Sequence, residues 1–287
     1  MFIDDNRSEF PLDKMCRVLE VSRSGYYAFK KRPQSQQGVD NETLLIGIRR
    51  VFLENKKIYG SPRVWNELNN VEHILCSENR IARLMRISGI VAVQKKKFRL
   101  TTDSKHGYSV WPNILNRNFT VEKPNTVWVS DITYVWTLEG WLYVAVILDL
   151  FSRGIVGLAM DKTITDTLII QAMKQAILRR SPGKGLILHS DRGSQYAGND
   201  FKAILAGNEF VGSMSRKGNC WDNAVAESFF HTLKVELIYR MRFATREQAK
   251  RMIFEYVVMY YNCKRAHSTL GYLSPAEFEK RQADCLN

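Results

Sequence analysis

The 287-residue chain has only five cysteines, Cys16, Cys76, Cys220, Cys263 and Cys285, and no C-x-x-C pair among them. That usage excludes a disulfide-stapled secreted scaffold. It also offers no structural zinc site, because His73 and Cys76 supply two ligands where zinc takes four. Long apolar runs are missing as well: the longest, Trp141 to Leu148, stops at Asp149, far short of the roughly 20 residues of a bilayer crossing. The first ten residues hold Asp4, Asp5, Arg7 and Glu9 and no apolar signal segment, so a cytoplasmic chain is expected. Acid is in deficit, with 29 Asp and Glu against 42 Lys and Arg, a formal charge of +13. Such an excess points to a polyanionic partner, nucleic acid ahead of an acidic membrane. It is uneven: residues 1–120 carry 21 basic and 12 acidic side chains, the remainder 21 and 17.

What is present is core material. At 45% hydrophobic, 11% aromatic and 25% charged, the chain is neither disordered nor collagen-like, and it is long enough for one moderate core plus a smaller module. Residues 1–40 read as a helical element over 11–32, weakly helix-turn-helix-like, then a polar linker, Gln34 to Gly38. Residues 41–92 read as a three-helix, helix-turn-helix-like module. Leu44, Leu45, Ile48, Val51 and Phe52 follow helical spacing, Ser61-Pro62 starts a second helix, and Ser77 caps a third that ends near Gly89. On that third helix Arg80, Arg83 and Arg86 recur opposite the apolar face, as a groove reader would present them. Residues 93–121, with Lys95, Lys96 and Lys97, read as a basic connector suited to a phosphate backbone.

From residue 122 the pattern changes. Three β-rich stretches, beginning at Val127, Trp141 and Arg153, predict an antiparallel meander. Helix 164–180, strand 186–190, helix 198–207, strand 209–213 and helices near 222–238 and 246–262 follow, which predicts a mixed α/β sheet covered by helices. Three acids stand out. Asp131 falls inside the first β-rich run, where an acid is costly unless solvated or paired. Asp191 directly follows an apolar strand, a place where α/β sheets present functional side chains. Glu227 shares a polar helix face with Asn223, His231 and Lys234. Convergent carboxylates favour hard cations such as Mg²⁺ or Mn²⁺, and two such ions can carry out phosphoryl transfer on nucleic acid. Spacing alone does not single out these three among 29 acids.

The residues around them do. Trp128-x-x-Asp131-x-Thr133-Tyr134, His189-Ser190-Asp191-x-Gly193-x-Gln195-Tyr196 and Asn223-x-x-x-Glu227-Ser228-Phe229-Phe230, with 35 residues between Asp191 and Glu227, form a specific set. With Asp149-x-x-Ser152-Arg153 and the tail Tyr261-Asn262 to Ser274-Pro275, they resemble the OrfB-type transposases of bacterial insertion sequences. Those transposases share the retroviral integrase core of the DDE superfamily. The resemblance covers 122–280 strongly and the front end loosely. It implies an RNase H-like mixed sheet with flanking helices over 122–287, preceded by small all-helical DNA-binding modules. It implies that Asp131, Asp191 and Glu227 are the catalytic, metal-binding triad for two Mg²⁺ or Mn²⁺ ions.

The activity implied is cleavage at element ends followed by strand transfer. Lys234 would contact DNA near the site. Arg265 and His267 read as phosphate contacts or structural hydrogen bonds, and Trp128, His189, Gln195, Tyr196 and Asn223 as supporting residues. The expected partners are double-stranded DNA, namely the element's terminal inverted repeats and its target, with further copies of the chain. A separate or frameshift-fused upstream product is a further expected partner. The retroviral His/Cys zinc module has no counterpart before Asp131. Two rivals stay open: an RNase H-like nuclease or resolvase that hydrolyses without joining, and a non-catalytic DNA-binding regulator.

Overall fold

The computed structural model describes residues 2–93, 110–217 and 219–285. Lys95, Lys96 and Lys97 lie outside the described residues. The chain divides into two compact units, Met1–Val91 and Ala92–Asn287.

The first unit is helical. Helices α1 (Phe2–Asp5), α2 (Leu12–Val18) and α3 (Arg23–Lys31) bury Ile3, Met15, Cys16 and Tyr26 together, and the Tyr26 hydroxyl donates to Asp4 Oδ1 at 2.6 Å. Helix α4 (Gln36–Glu54) begins earlier than expected, because Ser35 Oγ accepts from the Gly38 N–H and so caps it. The stretch assigned to a linker is therefore the first turn of a helix. Helix α5 (Ser61–Asn66) runs on into a π-helical turn, Glu67–Val71, and α6 (Glu78–Ile87) is capped by Ser77 as predicted. Ile81, Leu84 and Met85 of α6 are buried, and Gly89 ends it at φ +65°, a left-handed conformation that glycine adopts without strain.

The second unit is built on one sheet of five strands in the order β3-β2-β1-β4-β5. Strands β1 (Val127–Thr137), β2 (Gly140–Asp149) and β3 (Ile155–Asp161) form the antiparallel meander, and β1 runs straight through Asp131, which pairs with Val146. Strands β4 (Ile187–Ser190) and β5 (Val211–Met214) add in parallel on the other side of β1. β4 accompanies β1 only from Val127 to Val129. Beyond that, the Ser130 carbonyl accepts from Asn223 Nδ2 at 3.4 Å, and the Leu138 N–H donates to the Phe243 carbonyl.

Helix α7 (Asp166–Arg180) covers one face and shares a core with Trp128, Ile147, Tyr196 and Phe201. Short α8 (Ser194–Ala197) leads into α9 (Asn199–Gly207) on that same core. Side chains alternate along a strand, so Asp131, three residues from Trp128, faces the opposite side. There α10 (Ala224–Glu236) and α11 (Arg246–Glu255) pack on β1. The expected helix to residue 262 continues as a π-helical segment, Tyr256–Tyr261.

Polar side chains fasten the ends. Asn262 imitates a strand at the β3 edge, its Oδ1 accepting from the Ile155 N–H and its Nδ2 donating to the Ile155 carbonyl, each at 2.9 Å. Ser274 and Glu277 form a capping box on α12 (Pro275–Asp284). Buried Asp149 accepts from the Asn125 and Phe151 N–H groups, and Arg180, which also grips Glu279 of α12, reaches it at 3.4 Å. The tail motif noted in the sequence is thus a clamp on the sheet.

The close approach of α7 to β3 makes their packing testable. A Cβ on Gly157 of β3 would stand 2.3 Å from the Ala172 carbonyl oxygen, whereas one on Gly183 would meet nothing within 4 Å. Gly157→Ala is expected to destabilise the protein by about 1–3 kcal/mol, as overpacking does. Gly183→Ala should leave the urea midpoint unchanged, and equal midpoints for the two variants would contradict this account.

Candidate active site

Three elements bring the three acids within electrostatic reach of one another. Asp131 comes from mid-β1, Asp191 from the residue after β4, and Glu227 from the first turn of α10. All three are half-buried. Burial first, then the Asp191 charge, pushes the Asp131 carboxyl well above the usual carboxylate range, with Glu227 adding to it. Burial, then Asp191, also raises Glu227. Repulsion of this kind is felt between carboxylates that lie near one another. Against it, the Ile132 N–H donates to Asp131 Oδ1 at 2.8 Å, and the Gly193 N–H donates to Asp191 Oδ1 at 2.9 Å. Among the described residues, no three His, Cys, Asp or Glu side chains are already closed around one ion position.

The supporting residues sort by their neighbours. Tyr196 is buried, and its hydroxyl lies 2.9 Å from Ser130 Oγ. Because Ser130 gives its one proton to the Val146 carbonyl, Tyr196 is the donor, which joins the Asp191 turn to the strand of Asp131. Gln195 lies beside Gly193, its Oε1 2.8 Å from where a Cβ on Gly193 would stand. Asn223 is buried one turn before Glu227; its Nδ2 reaches the Ser130 carbonyl, and its Oδ1 has no partner among the described residues.

His189 is buried and turned from the pocket. It bonds Ser213 Oγ through Nδ1 at 2.9 Å and Ser215 Oγ through Nε2 at 3.3 Å. Ser213 Oγ accepts the Ile114 and Leu115 N–H groups and so donates to Nδ1, which assigns the Nε2–H tautomer. Burial lowers this histidine to about 4, and it ties β4 to β5 as a neutral ring. Trp128, fully buried and edge-on to Phe210, is a core residue.

Comparison with known proteins settles what kind of chain this is. Residues 121–220 and 227–282 match family models described as integrase core domain, and residues 39–98 match one described as HTH-like domain. The "Insertion element IS600 uncharacterized 31 kDa protein" of Shigella sonnei is 43% identical over 93% of this chain and 98% of its own. The "Transposase InsF for insertion sequence IS3A" of Escherichia coli K12 is 39% identical over 98% of both. The chain belongs to the IS3-family transposases. It acts in DNA transposition and integration, and its core is the RNase H-like, integrase-type sheet. More distant likeness extends to the catalytic core of BIV integrase, 18% identical over 57% of this chain and 99% of that one, with a TM-score of 0.43.

The expected DNA contacts of this transposase differ in how far they are exposed. Arg265 is 5% exposed and held by Glu236, which is 7% exposed, at 2.6–3.0 Å; Tyr256 also donates to that carboxylate. Its guanidinium is spent inside the protein and is not presented to a phosphate. Lys234 is buried too, its Nζ 5.3 Å from the centre of the Tyr134 ring, and burial lowers its pKa while Asp131 opposes that shift. It therefore faces the pocket and not open solvent. Arg80 donates to Asn41 at 2.9 Å, while Arg83 and Arg86 are exposed on α6.

One anchor was invisible in the sequence. The segment before α10 is pinned by Asp222. This fully buried carboxylate accepts from the Arg216 N–H, Nε and Nη2, from Arg117 Nε and from Asn113 Nδ2, at 2.8–2.9 Å. Arg117 lies 105 residues away, so no local pattern could announce the pair.

Both buried networks can be probed by substitution. Arg265→Ala should cost about 3–5 kcal/mol of stability in urea unfolding, the usual penalty for stranding a buried charge. An arginine that met phosphate would instead leave stability intact and weaken DNA binding when replaced. Asp222 is held well below the usual carboxylate range, chiefly by Arg216. Its folded pKa is depressed, so its stabilisation is complete above about pH 4 and is lost as pH falls further. The stability difference between wild type and Asp222→Asn should therefore shrink only below about pH 4.

Proposed function

We propose that this transposase cuts the ends of its insertion sequence and joins them to target DNA by metal-dependent phosphoryl transfer, with Asp131, Asp191 and Glu227 as catalytic residues. The observation that supports the reading is that three half-buried acids from three separate elements lie near enough for the Asp191 charge to raise the carboxyls of Asp131 and Glu227. Their chemistry fits a pair of Mg²⁺ or Mn²⁺ ions. All are hard oxygen donors, burial and the Asp191 charge raise the carboxyls of Asp131 and Glu227, and among the described residues buried Asn223 Oδ1, one turn before Glu227, is without a partner. When bound, such ions lower the barrier for attack by water or a 3′-hydroxyl at a phosphodiester.

The protein's own groups do the rest. The Ile132 and Gly193 N–H groups fix one oxygen of each aspartate and aim the other at substrate. The Tyr196–Ser130 bond holds the two carrier strands in register. Lys234 places positive charge beside Asp131, where an incoming phosphate would meet it. Arg83 and Arg86 on α6 and the Lys95–Lys97 run supply phosphate contacts to double-stranded DNA of the terminal repeats. Because two element ends must meet, the working form is a homo-oligomer on DNA, with an upstream-frame product as a candidate partner.

Asp191→Asn is expected to abolish both cleavage and joining of pre-cut ends while leaving DNA affinity within about twofold. Survival of either activity would count decisively against the triad. Wild type that cleaves but never joins would favour the nuclease reading. Chelation of divalent metal should stop both reactions and be reversed by Mg²⁺. Replacing Arg83 and Arg86 together should flatten the log–log salt dependence of duplex binding by roughly 0.9 for each phosphate that is no longer neutralised.

A further inference from the structure

The strand that carries Asp131 continues into an exposed aromatic cluster. Tyr134, Trp136, Leu138 and Trp141 are 41, 57, 77 and 43% exposed at the β1–β2 hairpin. Trp141 buttresses the other two rings edge-on, with centroids 5.0 Å from Tyr134 and 4.8 Å from Trp136. The segment after α10 runs alongside, through the Leu138 N–H to Phe243 bond, and adds exposed Tyr239, Arg240, Met241 and Arg242. Arg246 Nε donates to the Trp141 carbonyl at 2.9 Å. Within residues 134–143 and 239–246, Glu139 is the one acid against three arginines, and it accepts from the Arg246 N–H.

Exposed aromatics gathered in one place mark a contact surface. Protein interfaces also favour Trp, Tyr, Met and Arg. Two observations favour DNA here. The charge around the rings is positive, as an approaching phosphate backbone requires. Tyr134 and Trp136 point to the face of β1 opposite Asp131, and Lys234 of α10 links the two faces across the strand, its Nζ 5.3 Å from the centre of the Tyr134 ring and its charge felt at Asp131. Along a strand at about 3.3 Å per residue, Tyr134 and Trp136 stand roughly 10 and 17 Å from Asp131, the span of about three to five nucleotides.

We propose that Tyr134, Trp136 and Trp141 form a stacking platform for unpaired bases of the DNA strand whose phosphate enters the pocket. Bases three to five nucleotides from the reacting phosphate leave the duplex and stack on the rings, and the flanking arginines hold their backbone. The platform keeps the end frayed, so that a single strand can reach acids recessed beside α10. This rests on the transposase reading that puts the phosphate at Asp131.

The test uses the full-length protein and a forked DNA made from an element end. It carries 2-aminopurine as an unpaired base four nucleotides from the scissile phosphate. Before Mg²⁺ is added, wild type should quench the probe several-fold, and Trp136→Phe should preserve the quenching. Trp136→Ala should leave the probe bright and weaken binding to forked DNA about tenfold, the scale of removing one base stack, without weakening binding to fully paired DNA. A probe that stays bright in wild type, or equal weakening on forked and paired DNA, would overturn the proposal. So would a Trp136→Ala variant that changes the sedimenting mass yet still quenches, which would make the patch an interface between copies. Wild type that joins ends without quenching defeats the platform alone, whereas wild type that binds no DNA defeats the transposase mechanism with it.

Discussion

Like charges held together against their repulsion are the constraint on which the catalytic half of this molecule is built. Burial and the charge of Asp191 raise the carboxyl pKa values of Asp131 and Glu227, and left to themselves such groups would separate or take up protons. Keeping them close requires a frame stiffer than the force between them. Strand β1, flanked by β2 along its length and by β4 at its start, provides one wall; α10, packed on β1, provides the other. The nearest resident compensation is small: two backbone N–H groups and the buried ammonium of Lys234. The site is preorganised for positive charge that the substrate complex must supply.

The stiffness comes from polar residues placed inside. Asp222 gathers Arg216, Arg117 and Asn113 and fixes the approach to α10. Glu236, at the end of the same helix, gathers Arg265 and Tyr256. The helix that presents Glu227, the proposed third catalytic acid, is thus anchored at both ends by a buried carboxylate with satisfied partners. Such groups contribute little net stability beside apolar equivalents of the same shape. They do resist displacement, because any movement strands a charge. His189 does the same for the strand ahead of Asp191, as a neutral ring between two serines.

Around this rigid centre the surface divides its work. The helical unit Met1–Val91 exposes arginines on α6, suited to phosphates of a duplex. The catalytic unit instead carries aromatics with arginines beside its open strand, suited to bases that have left a duplex. Recognition by charge and recognition by stacking fall on different elements, in keeping with the paired and unpaired forms of DNA that a strand-transfer reaction must handle.

Much of this was legible in the chain before folding. Periodicity located every strand of the sheet to within a few residues, because alternation and helical spacing are local properties. The residues around Asp131, Asp191 and Glu227 identified the family and named the acids. The first turn of α4 was missed because its start depends on one serine hydroxyl and not on apolar spacing. Arg265 stayed open between two readings because an arginine in a basic chain reads the same whether it meets a phosphate or Glu236, 29 residues away. Asp222 and the aromatic platform gave no local signal: the first depends on Arg117, and the second on a hairpin and a post-helical segment lying side by side. Sequence by itself determined which elements form and which acids they carry, since both follow from neighbours along the chain. Only tertiary structure decided which charges are spent inside and which rings stay outside, since burial is a property of surfaces that meet through space.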